Sequence, residues 1–239
     1  MARKRPGRHI VVLGGGGFSY EQPEDLRLDD YTLALTGKRR PRVCFVPTAS
    51  GDSVVYIERF LRRFPSGRAE ADVLRLFARD GRDLEEFILS QDVIYVGGGN
   101  TANALAVWRV HGVVPLLRRA WLNGTVLTGV SAGMLCWFEG GVTDSFGPLA
   151  ALPDGLGLLR GSACPHYDAE SRRRPAYHDF VGSGVLPGGY AADDWAALHF
   201  AGRRLHAIVA SAEGRYGYRV NREGGKVVER RLEARYLRS

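Results

Sequence analysis

The sequence predicts an α/β protein with a largely parallel central sheet and helices on both faces. Short β-branched runs alternate with helical patterns over the first two thirds of the chain, which is typical of parallel strands joined by crossover helices. Several of these runs end abruptly in glycines, as strands do at the ligand-binding edge of such sheets. The chain has 239 residues, of which 45% are hydrophobic, so it can bury a full core. We expect a single domain over 1–239, with a flexible basic tail at 1–8.

The predicted elements follow one another in a regular order. The strand at 9–13 ends in four glycines, and the strand at 42–45 is stopped by Pro47. Ser53 or Asp52 can cap the next helix, because short polar side chains accept hydrogen bonds from the free amides of a first turn. The predicted strands are 9–13, 42–45, 71–76, 93–96 and 125–128, and the predicted helices are 29–36, 52–64, 84–89, 101–111, 114–122 and 174–181. Turns are dense over the last third of the chain, where we expect added strands and loops on the same domain.

Composition excludes several classes of protein. No apolar run reaches the roughly 18–20 residues of a membrane-spanning helix, and the apolar run after the basic N-terminus is too short for a signal peptide. We therefore expect a cytoplasmic protein without a membrane partner. The net charge is +7, but the arginines are dispersed and no nucleic-acid motif accompanies them, so no nucleic-acid partner is expected. Cys44, Cys136 and Cys164 are too few and too scattered for a disulfide framework, and neither C-x-x-C nor H-E-x-x-H is present, so a zinc site is not predicted. The serine chemistry considered below needs no metal and no organic cofactor, so neither is expected.

The most informative motif is G-V-S-A-G at 129–133. It follows an apolar strand and precedes an apolar helix, which is the context of a nucleophile elbow. Small flanking residues are needed because the turn is tight, and the turn leaves the Ser131 hydroxyl exposed at the carboxyl end of the strand. The backbone N–H of Ala132 can then stabilise an oxyanion. Taken alone, the motif is explained equally well by a nucleophile elbow and by a glycine-flanked serine that caps a helix.

Two further glycine-rich turns follow predicted strands. The sequence V-G-G-G-N at 96–100 opens a helix, and glycine amides can approach an anion closely. Gly98 is therefore the candidate for a second oxyanion donor, although a packing turn explains one such loop more simply. The turn at 14–17 lacks the G-x-G-x-x-G spacing, and no acidic residue ends the second strand, so a dinucleotide site is not predicted.

A serine nucleophile needs a general base and a carboxylate that orients the base. Of the six histidines, His166 has the best local case, because it lies in a turn between short strands and Pro165 fixes its approach. The carboxylate can come from the pair Asp193 and Asp194, which follows a short strand, or from Asp144. The residues alone do not decide between these candidates.

Five motifs occur in a fixed order along the chain. They are V-G-G-G-N-T at 96–101, G-V-S-A-G at 129–133, T-D-S at 143–145, P-H-Y at 165–167 and A-D-D at 192–194. Together they resemble the peptidase E family of serine peptidases, which includes bacterial aspartyl dipeptidase and, more distantly, cyanophycinase. The resemblance extends roughly from His9 to Val220. It implies a fold similar to class I glutamine amidotransferases, in which the elbow nucleophile is cysteine, and the serine at position 131 argues against amidotransfer.

The resemblance also implies a catalytic triad in the order Ser131, His166 and an acid. In aspartyl dipeptidase the acid is a glutamate in a short turn after a strand. Matching that turn to this chain puts Asp193 at the position, with Asp194 as the alternative. The oxyanion donors of the family match the backbone N–H groups of Gly98 and Ala132.

The implied substrate is a small peptide, cleaved by a dipeptidase after an N-terminal residue such as aspartate. An acidic substrate needs a cation, and Arg173 and Arg174 follow His166 closely enough in sequence to line the same cleft. An equally good alternative is that both arginines lie in the solvent-exposed first turn of a helix and bind no substrate. Asn100 is the third expected substrate contact. The alternatives for function are a catalytically silent amidotransferase-like binding domain, an esterase, or a cyanophycinase-like hydrolase, and a homodimer is left open.

Overall fold

The computed structural model describes residues 7–238 as two sheets with helices packed around them. The predicted tail at 1–8 lies mostly outside the described residues. The strands are β1 (His9–Leu13), β2 (Arg42–Val46), β3 (Glu70–Val73), β4 (Val93–Val96), β5 (Val126–Val130), β6 (Gly140–Thr143), β7 (Ala150–Leu152), β8 (Ser162–Cys164), β9 (Gly189–Ala192), β10 (Ala196–Ala201), β11 (Arg204–Ala210), β12 (Gly217–Glu223), β13 (Lys226–Leu232) and β14 (Arg235–Tyr236). The helices are α1 (Arg27–Ala34), α2 (Val54–Arg63), α3 (Leu84–Leu89), α4 (Thr101–Val110), α5 (Val113–Leu122), α6 (Ala132–Leu135) and α7 (Arg173–Gly182).

The larger sheet has eight strands in the order β14-β11-β10-β1-β5-β4-β2-β3. The five strands from β1 to β3 in this order are parallel. β10 runs antiparallel to both β1 and β11, and β14 pairs parallel with β11. Leu13 pairs with Val130, and Val96 pairs with Gly129. The carboxyl ends of β1, β4 and β5 therefore lie side by side, which brings the three glycine-rich turns to one edge of the sheet.

Helices cover both faces of this sheet, as predicted. One face carries an aromatic cluster in which the Phe18 ring meets the rings of Phe45, Phe60, Phe64 and Tyr95 at centroid distances of 4.7–5.7 Å. The opposite face is covered by α4, α5 and α6, whose buried side chains include Trp108, Leu117 and Met134. The two buried faces hold the parallel strands rigidly at the edge where the turns meet.

The last third of the chain divides between the two sheets. β10, β11 and β14 extend the larger sheet, while β13-β12-β9-β8-β6-β7 form a second sheet of six strands. The expectation of added short strands captured this region only in outline, because local hairpins such as β10·β11 and β12·β13 are combined with distant pairings such as β1·β10. None of the helices over residues 7–238 combines the length and the hydropathy needed to cross a bilayer.

Candidate active site

Ser131 lies in a strained turn between β5 and α6. Its backbone has φ 57° and ψ −108°, a conformation that residues with a side chain rarely adopt and that clusters at functional sites. A Cβ at Gly129 would come within 2.5 Å of the Gly133 carbonyl oxygen, and a Cβ at Gly133 would overlap the Val96 carbonyl oxygen. Both glycines of the motif are therefore required by close packing, as a nucleophile elbow demands.

The glycine loop after β4 packs against the elbow. A Cβ at Gly98 would lie 3.5 Å from the Cβ of Ser131. The N–H of Gly98, the predicted second oxyanion donor, donates to the Tyr56 hydroxyl at 3.3 Å. The N–H of Ala132 lies at the start of α6, directly after the serine. Gly98 and Ala132 therefore both lie next to Ser131, and the N–H of Gly98 has only a long hydrogen bond within the chain.

His166 is held beside the elbow by the end of β1. The backbone N–H of His166 donates to the Gly14 carbonyl at 3.3 Å, and the backbone N–H of Ser131 donates to the Leu13 carbonyl at 3.2 Å. Two consecutive carbonyl groups, of the last residue of β1 and of the residue after it, therefore anchor both residues. The backbone of His166 also has a positive φ, 53°, which is a second strained position at the same edge of the sheet.

The structure corrects the choice of carboxylate. His166 Nδ1 lies 2.7 Å from Asp194 Oδ1, whereas the predicted partner Asp193 faces away. Asp193 Oδ2 instead accepts hydrogen bonds from the Tyr216 N–H at 2.9 Å and from the Tyr218 hydroxyl at 3.2 Å. Successive side chains of an extended segment point to opposite sides, so only one of the two aspartates can face the imidazole.

The environments of the two carboxyl groups also differ. Burial raises the pKa of Asp193 above its usual value, and its bonds to Tyr216 and Tyr218 offset only part of this effect. Burial also raises the pKa of Asp194, but hydrogen bonds from His166 and Tyr20 outweigh it, so the net pKa is lower than usual. Asp194 is therefore the carboxylate held in its charged form beside the imidazole.

Sequence reasoning missed three features around Asp194. The Tyr20 hydroxyl donates to Asp194 Oδ2 at 2.5 Å. The N–H of Asp194 donates to Asp168 Oδ1 at 2.8 Å, and Asp168 in turn pairs with Arg215. A Cβ at Gly15 would overlap the Asp194 carboxylate, so the glycine turn after β1 makes room for this side chain. The sequence held a signal for this contact, because the glycine turn at 14–17 follows a predicted strand in the same way as the turns at 96–100 and 129–133.

The predicted substrate contacts all have partners within the chain. Arg173 is only 2% exposed and bonds the Val142 carbonyl at 2.9 Å and Glu170 at 2.7 Å. Arg174 binds both carboxylate oxygens of Glu229, at 3.1 and 2.6 Å. The structure thus uses these two arginines to hold its own loops, and it does not present either guanidinium free for a substrate.

Asn100 and Asp144 lie on the other side of the elbow. The Asn100 side chain caps α4 by accepting from the Asn103 N–H at 2.9 Å, and it donates to the Ser145 carbonyl, also at 2.9 Å. Asp144 is exposed and lies 3.7 Å from the Arg173 guanidinium. Asn100 therefore joins the glycine loop to the T-D-S turn, and Asp144 is paired with an arginine and not with His166.

The family is settled by comparison with known proteins. The model of peptidase family S51 matches residues 10–208, which spans the elbow, the His166 turn and Asp194. The two sheets, their helices and the strained serine define an α/β protein with a nucleophile-elbow turn. The chain belongs to peptidase family S51, which confirms the resemblance to the peptidase E family drawn from the five motifs.

Individual relatives agree with this assignment. The chain is 50% identical over 230 residues to an uncharacterized peptidase, YgaJ, from Bacillus subtilis (strain 168), covering 96% of this chain and 99% of that protein. It is 29% identical over 191 residues to peptidase E from Pasteurella multocida (strain Pm70), covering 76% and 79%.

Two solved structures share the fold. A peptidase from an acI-B1 Actinobacterium has a TM-score of 0.68 and 17% identity, covering 96% of each chain. A putative peptidase E protein from Listeria monocytogenes EGD-e has a TM-score of 0.58 and 17% identity, covering 95% of this chain and 100% of that one. At this level of identity they support the predicted fold class and nothing finer.

Proposed function

We propose that the protein is a serine-type dipeptidase that works through an acyl-enzyme, with Ser131 as nucleophile, His166 as general base and Asp194 as the orienting acid. The observation that carries the proposal is the 2.7 Å contact between His166 Nδ1 and Asp194 Oδ1 beside a strained serine elbow. A carboxylate on Nδ1 leaves Nε2 as the acceptor that a serine hydroxyl needs. The preference for a dipeptide rests on the resemblance of the five motifs.

The reaction runs through two acyl-transfer steps. Ser131 Oγ attacks the peptide carbonyl carbon as its proton passes to His166 Nε2, and the imidazolium formed is stabilised by Asp194. His166 then gives this proton to the leaving amine, which breaks the C–N bond and leaves an acyl ester on Ser131. A water molecule, deprotonated by His166, hydrolyses the ester and restores the serine.

The negative charge on the carbonyl oxygen forms next to the backbone donors of the elbow. The N–H of Ala132 lies at the start of a helix, where the donors are free and the partial charge is positive. The N–H of Gly98 becomes the second donor when the substrate oxygen replaces the Tyr56 hydroxyl. Loss of one such donor in other enzymes costs about 10²–10³ in kcat, so these amides account for a large part of the expected rate.

The proposal is tested by acylation of the serine and by turnover. A fluorophosphonate probe should label the parent protein at Ser131, and Ser131→Ala should abolish both the label and hydrolysis of a dipeptide library. Ser50→Ala is the matched control, because Ser50 is half-buried in a turn and bonds only the Pro47 carbonyl; it should behave as the parent does. His166→Ala should lower turnover by several orders of magnitude.

Three results would contradict parts of the proposal. A parent protein that takes up no probe and cleaves no dipeptide would indicate a silent binding domain. If the probe labels Ser131 but the protein hydrolyses only longer peptides or esters, the dipeptidase assignment is wrong and Ser131 remains the nucleophile. Unchanged turnover in Ser131→Ala would remove the nucleophile itself.

A further inference from the structure

Tyr20 contacts the proposed triad from the side opposite the imidazole. Its hydroxyl donates to Asp194 Oδ2 at 2.5 Å, while Oδ1 of the same carboxylate faces His166. Each oxygen of this carboxylate therefore has its own hydrogen-bond partner. Asp194 is only 7% exposed, so water has little access to replace either bond.

The surroundings of Tyr20 hold its hydroxyl in this place. The Tyr20 ring packs edge-to-face against the Trp195 ring at a centroid distance of 5.1 Å. The backbone N–H of Trp195 donates to the Gly15 carbonyl at 3.1 Å, which fixes Trp195 in place. A Cβ at Gly15 would lie 2.8 Å from the Tyr20 hydroxyl. Burial raises the pKa of Tyr20, and the bond to Asp194 raises it further, so the phenol stays protonated and remains a donor.

From this geometry we infer that Tyr20 is a positioning residue for the reaction, which fixes the Asp194 carboxylate in the orientation that His166 requires. The inference rests on the proposed function. A carboxylate held at one oxygen only can rotate about its Cβ–Cγ bond and lose the Nδ1 contact. A second bond on Oδ2 restricts that rotation, and pre-organisation of this kind lowers the barrier to proton transfer.

The hydroxyl also affects the charge that His166 experiences. By donating to Asp194 it withdraws part of the electron density of the carboxylate and weakens the attraction for the imidazolium. Removing the hydroxyl should therefore favour the protonated imidazole and move the acid limb of the kcat/KM profile to higher pH. The other charged or titratable groups that act on Tyr20 are Glu170 and Tyr56, and both stay in place in the variant.

The experiment compares Tyr20→Phe with the parent, using a fluorophosphonate probe and the best dipeptide substrate over pH 5–9. We expect kcat to fall about tenfold, as for the loss of one hydrogen bond to a charged group, with KM unchanged. The acid limb should move to higher pH. Tyr31→Phe is the matched control, since this variant loses a half-buried hydroxyl that lies 2.7 Å from His199 Nδ1 instead; its acid limb should match that of the parent.

The outcomes separate the inference from the proposed function. If the parent is labelled at Ser131 and Tyr20→Phe matches it in kcat and pH profile, the inference is wrong and the proposed function stands. If Tyr20→Phe lowers kcat equally at every pH, with the melting temperature reduced, Tyr20 is only structural and the inference is again wrong. If the unmutated protein is never labelled at Ser131, the proposed function is wrong, and the inference that rests on it is wrong as well.

Discussion

Acid should weaken the fold through a group of histidines around the buried His199, away from the elbow. His9, His199 and His206 lie on the adjacent strands β1, β10 and β11. His199 is only 2% exposed. Its Nε2 lies 2.9 Å from His9 Nδ1, and its Nδ1 lies 2.7 Å from the Tyr31 hydroxyl. Burial lowers the pKa of His199 to about 4, helped by the neighbouring His9 and His206.

The size of the effect follows from the difference between the folded and unfolded pKa values. The unfolded chain binds a proton at His199 near pH 6.5, whereas the folded chain binds it only near pH 4. Between these values the unfolded state holds more protons, so stability falls as the pH is lowered through this window and is fully retained above it. A gap of about 2.5 units at 1.36 kcal/mol each gives a loss of about 3 kcal/mol between pH 7 and pH 4. The pKa of His9 is lowered in the same direction by burial and by His206.

The assay is urea unfolding of the parent and of His199→Gln at pH 7 and pH 4. Glutamine can replace hydrogen bonds of the imidazole and cannot titrate, so the variant should lose about 3 kcal/mol less than the parent on acidification. All other acid-sensitive groups remain in both proteins and cancel in the comparison. His111→Gln, at the end of α4, is the control and should follow the parent. Equal losses in the parent and His199→Gln would refute the reasoning.

Two further predictions concern the triad and its surroundings. Asp194→Asn should lower kcat by about 10³–10⁴ because it removes the charge behind the imidazole. Asp193→Asn keeps the acceptor for its two tyrosine partners and should change kcat less than tenfold in the same steady-state assay; the reverse order would restore Asp193 as the acid. Gly15→Ala should displace the Asp194 carboxylate and lower kcat about 10²-fold, while Gly67→Ala, whose Cβ would meet nothing within 4 Å, should leave kinetics and urea unfolding unchanged.

The elbow was predictable because its determinants are local. The strand, the small residues and the serine are contiguous, and tight packing at Gly129 and Gly133 follows from the turn itself. The positions of the parallel strands along the chain were also predictable, because hydrophobic runs followed by turns mark them locally. Carboxyl ends of parallel strands meet at one edge, so the meeting of the glycine turns also followed from the sequence.

The aspartate that contacts His166 was not predictable, because its determinants are not local. Which of two adjacent aspartates faces His166 depends on the register of β9 against β12, where Ala192 pairs with Gly217. That pairing joins residues far apart in sequence, and it turns Asp193 toward Tyr216 and Tyr218. Distant partners also hold the two arginines: Arg174 pairs with Glu229 on β13, and Arg173 donates to the Val142 carbonyl on β6, although the Glu170 partner of Arg173 is only three residues away.

Glu229 links the end of the chain to the turn that carries His166. It accepts hydrogen bonds from the Tyr167 hydroxyl at 2.6 Å and from Arg174, and it lies 2.8 Å from His178 Nε2. During synthesis the elbow can fold first, while Asp194 and this glutamate are still to be made. The contact between His166 and Asp194 can therefore form only after residue 194 has left the ribosome, later than the elbow turn that it lies beside.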